Sequence, residues 1–272
     1  GSGRRLPASL VSRWWCDSSI TTLVVSAGLI PLGATHTMRT LTALERKASL
    51  IQHGHACDGL RCCTPRDPLT TLAPHWEGSH NLQHHLWWHC ALFKLEHGEH
   101  AAVLQLYDTR FRNLAAPLTI ASPDVYIDVQ NAASMLFRLQ RLGIDVGNRW
   151  EELADKAEAR IGDCQSAFTL PHWLMALTAT GRSAAAQRMI EAMRAFADGR
   201  GTVPAIVRDY VLPIAEAQLA HASGRHAEAL ALMRPAIGGM YRLGGSHAQQ
   251  DVLEQLFVDA ALKAASTKDV RL

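Results

Sequence analysis

The sequence predicts an all-α chain of helical hairpins stacked into a superhelix, an α-solenoid. Three observations carry that prediction. Alanine and leucine, strong helix formers, dominate the second half of the chain, and β-branched runs are scarce after residue 75. From residue 79 onward, apolar residues recur at the three-to-four spacing of a helix face. Glycines close helical runs at Gly98, Gly143, Gly181 and Gly224, at intervals of 45, 38 and 43 residues, an irregular repeat.

Residues 1–74 differ in character and read as an irregular or poorly ordered region, with truncation or mistranslation of the amino terminus as one explanation. The chain opens with Gly-Ser-Gly, and its first methionine is Met38. Four of the six cysteines fall here: Cys16, Cys57, Cys62 and Cys63. With His53 and His55 they offer ligands but no CxxC knuckle, so a loop is a better reading than a zinc site. The apolar stretch 20–34 is broken by Pro31 and is shorter than the roughly 18–20 residues a membrane span needs.

The helical domain, 75–272, begins with "HNLQHHLWWHCALFKLEHG". Leu82, Leu86, His89 and Phe93 form one stripe, and Trp87, Cys90 and Ala91 a neighbouring one. A helix apolar on nearly every side packs on several sides. "GEHAAVLQLYDTRF" restarts after Gly98 as the second helix of the hairpin. "DVQNAASMLFRLQRLG" pairs with "GNRWEELADKAEARI", "FTLPHWLMALTATG" with "RSAAAQRMIEAMRAFADG", and "LPIAEAQLAHASG" with "RHAEALALMRPAIGGMYRLGG". A last helix follows in "GGSHAQQDVLEQLFVDAALKAA", where Ser246 and Gln249 have capping-box spacing.

The Gly-x4-Ala step of a tetratricopeptide hairpin occurs at Gly181/Ala186 and Gly224/Ala229, with Gly98/Val103 as a variant. Together with "HNLQHHLWWHCALFKLEHGEHAAVLQLYD", "VQNAASMLFRL", "VGNRWEELAD" and "GGSHAQQDVLEQL", it resembles the tetratricopeptide repeat protein 38 family over about residues 72–265. The resemblance implies a tetratricopeptide-like superhelix without an assigned reaction. The first seventy residues fall outside it.

Six histidines between residues 80 and 100 raise the question of a site. His85 and His89 lie one helical turn apart, and first helices of successive hairpins line the concave surface of such a superhelix. His85, Trp88, His89, Asp128, Asn131, His172, His247 and Asp251 are therefore the groove or ligand candidates, with His85, His89 and His247 the weak metal candidates. The competing expectation is structural: His89 packs within its stripe, His84, His97 and His100 are solvated, and Trp87 fills the hairpin interface. Cys90 and Cys164 read as inert core thiols.

No phosphate loop, nucleophile elbow or dinucleotide fingerprint occurs, so neither a cofactor nor catalysis is expected. Lysine plus arginine number 27 against 25 aspartate plus glutamate, which leaves no electrostatic case for nucleic acid. The expected function is a cytoplasmic scaffold holding a protein or peptide in the concave groove, with no membrane partner. A metal-binding protein or enzyme using the first-helix histidines is the alternative.

Overall fold

The computed structural model describes residues 70–76 and 80–266. The chain divides into two units, residues 1–79 with 246–248, and residues 80–245 with 249–272. Of the first unit, the described part comprises a 3-10 helix, Thr70–His75, the buried Trp76 and residues 246–248. The cysteine-histidine stretch at 53–63 and the apolar stretch at 20–34 lie outside the described residues.

Every regular element among the described residues is helical. Eleven α-helices follow in order: α1 Leu82–Glu96, α2 His100–Leu106, α3 Pro117–Ala121, α4 Tyr126–Arg141, α5 Arg149–Ala159, α6 Leu170–Ala179, α7 Ser183–Ala197, α8 Thr202–Ile206, α9 Leu212–Ala222, α10 His226–Met233 and α11 His247–Ser266. π-helical turns extend α2 (Tyr107–Phe111) and join α8 to α9 (Val207–Val211), and a 3-10 helix spans Ile237–Leu243. No described helix is long and apolar enough to cross a membrane.

The glycine punctuation has a common mechanism. At Gly98, Gly143, Gly181 and Gly224 the backbone is left-handed, with φ between 71° and 77°. Each glycine N–H and the N–H after it donate back into the last turn, as in Gly224 to His221 O (3.0 Å) and Arg225 to Ala220 O (2.9 Å). This is a Schellman closure, which satisfies helix-end carbonyls and turns the chain into its second helix. Five residues on, Val103, Ala186 and Ala229 are all buried where each second helix meets its first.

α1 packs against α2, α4 against α5, α6 against α7 and α9 against α10. First helices also pack on first helices, α1 on α4, α4 on α6 and α6 on α9, forming a row. Large side chains fill this arrangement: Trp88, Trp173, Leu136, Leu139, Leu174 and Leu177 are all but inaccessible. Trp150 is a core residue, and Cys90 and Cys164 are buried as expected; burial pushes the Cys164 thiol up, away from reactivity. Trp88 is the core residue of its pair, whereas Trp87 is half-buried with Arg110 lying 4.7 Å over its ring. Trp88, expected as a groove candidate, is thus the one enclosed in the core, and Trp87, expected to fill the hairpin interface, is only half-buried.

The last helix does not simply continue the row beyond α9. Arg138 of α4 reaches Asp251 (3.1 Å), and Arg141 of α4 reaches Gln255 (2.8 Å) and Asp259 (3.7 Å). His221 of α9 bonds the same Asp259 at 2.9 Å. α11 therefore lies against α4 and α9, first helices that are not neighbours in the row.

Candidate functional site

Between α1 and α4 lies a buried polar group. His84, His85 and His89 of α1 and Asp128 and Asn131 of α4 are all at most 7% exposed. His85 and His89, four residues apart, project together toward α4, and the neighbouring His84 reaches the same helix at Asp128. Asp128 and Asn131, three residues apart, project together from α4 in the same way.

Asp128 Oδ2 pairs with His84 Nδ1 at 2.9 Å and accepts from Asn81 Nδ2 at 2.8 Å. Asn81 occupies the N-cap position of α1, yet its side chain serves this contact and does not cap the helix. His84, expected to be solvated, is therefore buried, because the carboxylate opposite it supplies the partner an exposed imidazole would take from water. His97 is exposed as expected and His100 is half-buried.

His85 Nδ1 lies 3.2 Å from Asn131 Oδ1, and its Nε2 lies 3.2 Å from His89 Nε2. The amide oxygen can only accept, so His85 donates from Nδ1 and its Nε2 accepts the His89 proton. The Trp88 ring stacks on His85 at 5.3 Å between centroids and meets His89 edge-on at 4.9 Å. Burial lowers the proton affinity of His85 to about 4, partly offset by its Asn131 bond. Burial, His85 and the charge of Arg138 hold His89 well below its ordinary value. Both imidazoles are neutral.

Arg138 is the principal residue the sequence reading missed. It is 4% exposed, sits 5.9 Å from the Trp88 ring centroid and donates to Ser134 O as well as to Asp251. A buried guanidinium needs such a carboxylate, since burial disfavours its charge and Asp251 offsets part of that cost. The sequence signal was present, arginines at positions 138 and 141 among Met135, Leu136, Phe137, Leu139 and Leu142. Gln130 forms a second link, donating to Thr169 Oγ1 and lying 3.4 Å from Gln249 of α11.

The predicted residues thus separate into groups. His85, Trp88, His89 and Asn131 come together, Asp128 lies a turn away, and Asp251 joins through Arg138. His172 is fully buried on α6, with Nδ1 donating to Phe168 O at 2.8 Å; burial lowers its proton affinity to about 4. His247 is exposed at the first position of α11, so it is not a member of the buried group. Among the described residues no three His, Cys, Asp or Glu side chains are placed to hold one metal ion, so the pairing of His85 and His89 with His247 fails. The remaining candidates are enclosed and do not line an open surface.

Among the described residues, the candidate residues include four buried polar atoms without a hydrogen-bond partner: Trp88 Nε1, Asp128 Oδ1, Asn131 Nδ2 and His172 Nε2. The first and third are donors; Asp128 Oδ1 accepts, and so does His172 Nε2, because its Nδ1 carries the proton. Comparison with known proteins gives no family model that matches the chain and no solved structure that matches it.

Proposed function

We propose that the chain is a tetratricopeptide-like superhelix acting as a binding scaffold, whose row of first helices receives a helical segment of a protein partner. One observation carries this reading: the row already holds a helix. Side chains of α4 and α9 grip α11 through two arginines and a histidine, across more than a hundred residues of sequence for α4. A surface that binds one amphipathic helix in this way has the chemistry of helix-in-groove recognition.

Arg141 is the residue to test, because it is partly exposed and faces α11. Wild-type and Arg141→Glu chains of equal helicity are compared for the proteins each retains, identified by mass spectrometry. The expected outcome is a defined set lost from the variant. Identical sets would remove the row from the binding surface.

A second reading rests on the four unpartnered buried atoms around α1, α4 and α6. Unsatisfied donors on Trp88 and Asn131 and acceptors on Asp128 and His172 are the kind of groups a small polar molecule would satisfy, and neutral imidazoles near them suit proton transfer. A stoichiometric small molecule released when the purified chain is denatured favours this reading over the scaffold.

A further inference from the structure

We propose that His221 and His226 bind one divalent transition-metal ion of the imidazole-preferring class (zinc, nickel or copper), with Asp259 orienting the first imidazole. The site belongs to the turn of the α9–α10 hairpin, outside the buried group of α1 and α4, and does not depend on the scaffold reading. His221 stands in the last turn of α9, and His226 is the first residue of α10. Between them Gly224 is left-handed and reverses the chain. The reversal brings His221 Nδ1 to 3.0 Å from His226 Nδ1, with ring centroids 4.8 Å apart and planes tilted by 58°.

The carboxylate decides where the protons sit. Asp259 Oδ2 lies 2.9 Å from His221 Nε2. A carboxylate only accepts, so His221 donates from Nε2, and in the neutral ring Nδ1 carries a lone pair. That lone pair accepts from Nδ1 of His226. A tautomer change moves the His226 proton to its Nε2 and leaves a second lone pair beside the first. Metal–imidazole bonds of about 2.0–2.1 Å, at angles from a right angle to the tetrahedral value, place two nitrogens about 2.9–3.4 Å apart. The observed separation falls within that range.

Asp259 also supplies what a ligating histidine ordinarily has, a carboxylate on its other ring nitrogen that fixes the tautomer and the ring orientation. The His221 and Asp259 side chains are 12% and 14% exposed, whereas His226 is half-buried and residues 222–225 of the turn are exposed. The orienting side is thus enclosed and the ligating side open, so water completes the coordination of an ion held by two imidazoles. Nitrogen ligands favour zinc, nickel and copper over magnesium and calcium, which take oxygen. Two cations, Arg141 at 3.7 Å and Lys263 at 2.7 Å, share Asp259 and act against a further positive charge. The ion is therefore held less tightly than in a closed site of four protein ligands. It joins the end of α9 to the start of α10.

The test titrates zinc chloride into the full chain at pH 7.5 and follows the nitrogen NMR shifts of isotope-labelled histidines. The Nδ1 signals of His221 and His226, assigned by single substitution, are expected to move together along one binding curve. Magnesium at the same concentration should move neither, and zinc bound elsewhere in the chain leaves both in place. His226→Asn keeps an N–H donor toward His221 but removes the ligating nitrogen. It should abolish the zinc response of His221 while melting like the wild type in the presence of a chelator. Asp259→Asn should weaken zinc binding about tenfold, the usual loss when a ligating histidine's outer partner is changed. Nδ1 signals of the wild-type chain that ignore saturating zinc overturn the proposal, and that measurement needs no variant to fold. A His221 signal that responds equally in His226→Asn and wild type also overturns it, leaving the two imidazoles as a hydrogen-bonded pair only.

Discussion

Trp87 and Trp88 show how neighbouring residues of one type acquire different weights. Trp88 faces α4, where it is wholly enclosed by His85, His89 and Arg138. Trp87 stays half-exposed, with the Arg110 guanidinium on its ring. Trp88→Ala should cost about 3–5 kcal/mol, the range for loss of a large buried aromatic. Trp87→Ala should cost about 1–2 kcal/mol, from partial burial and a cation–π contact. Urea denaturation of the two variants distinguishes them, and a larger loss for Trp87 would contradict the placement. The sequence could not rank the pair, because α1 is apolar on nearly every side and has no single inward face. His84 was misjudged for a related reason: whether an imidazole meets water or a carboxylate depends on what lies across the helix interface.

Among the elements, the hairpin punctuation was the most legible. A left-handed closure needs a residue without a Cβ, so glycine marks the place in the sequence itself. Gly224 shows this cleanly, since a Cβ there would meet nothing within 4 Å and only its φ of +76° opposes substitution. Gly224→Ala should therefore destabilise by about 1–2 kcal/mol. Gly238→Ala, at an exposed position of ordinary φ with open space around it, should change stability by about half a kcal/mol or less. Thermal and urea melts of both check the assignment, and equal effects would show that φ is not the cause. Short helices were harder to read. α3 and α8 span five residues each, too few for a periodicity to appear, and the π turns arise where one helix must shift register to join another.

For the whole molecule, buried histidines couple stability to pH. His85 and His172 are held at about 4 and His89 well below its ordinary value, in each case chiefly by burial. The unfolded chain takes up these protons below about 6.5, while the folded chain refuses them. Stability from these three groups is thus fully present above about pH 6.5 and is lost as pH falls toward 4. Each costs on the order of 1 kcal/mol per pH unit across that window. Urea midpoints at pH 7.5, 6 and 5 should fall progressively, and His172→Gln should make the fall shallower. A flat midpoint would mean that the imidazoles titrate freely.

The sequence by itself determined the all-helical class, the hairpin boundaries and most of the core. These depend on interactions within about four residues, where propensity, periodicity and glycine placement act directly. It also assembled the right residue types for the buried polar group, though not their partners. Only the tertiary structure decided that Asp128 meets His84, that Arg138 reaches Asp251, and that α11 lies on the row of first helices. Those contacts join positions from 44 to more than a hundred residues apart. No local preference encodes which distant carboxylate a buried charge will find; the packing of whole helices settles it, because each buried charge must end beside a partner or not be buried at all.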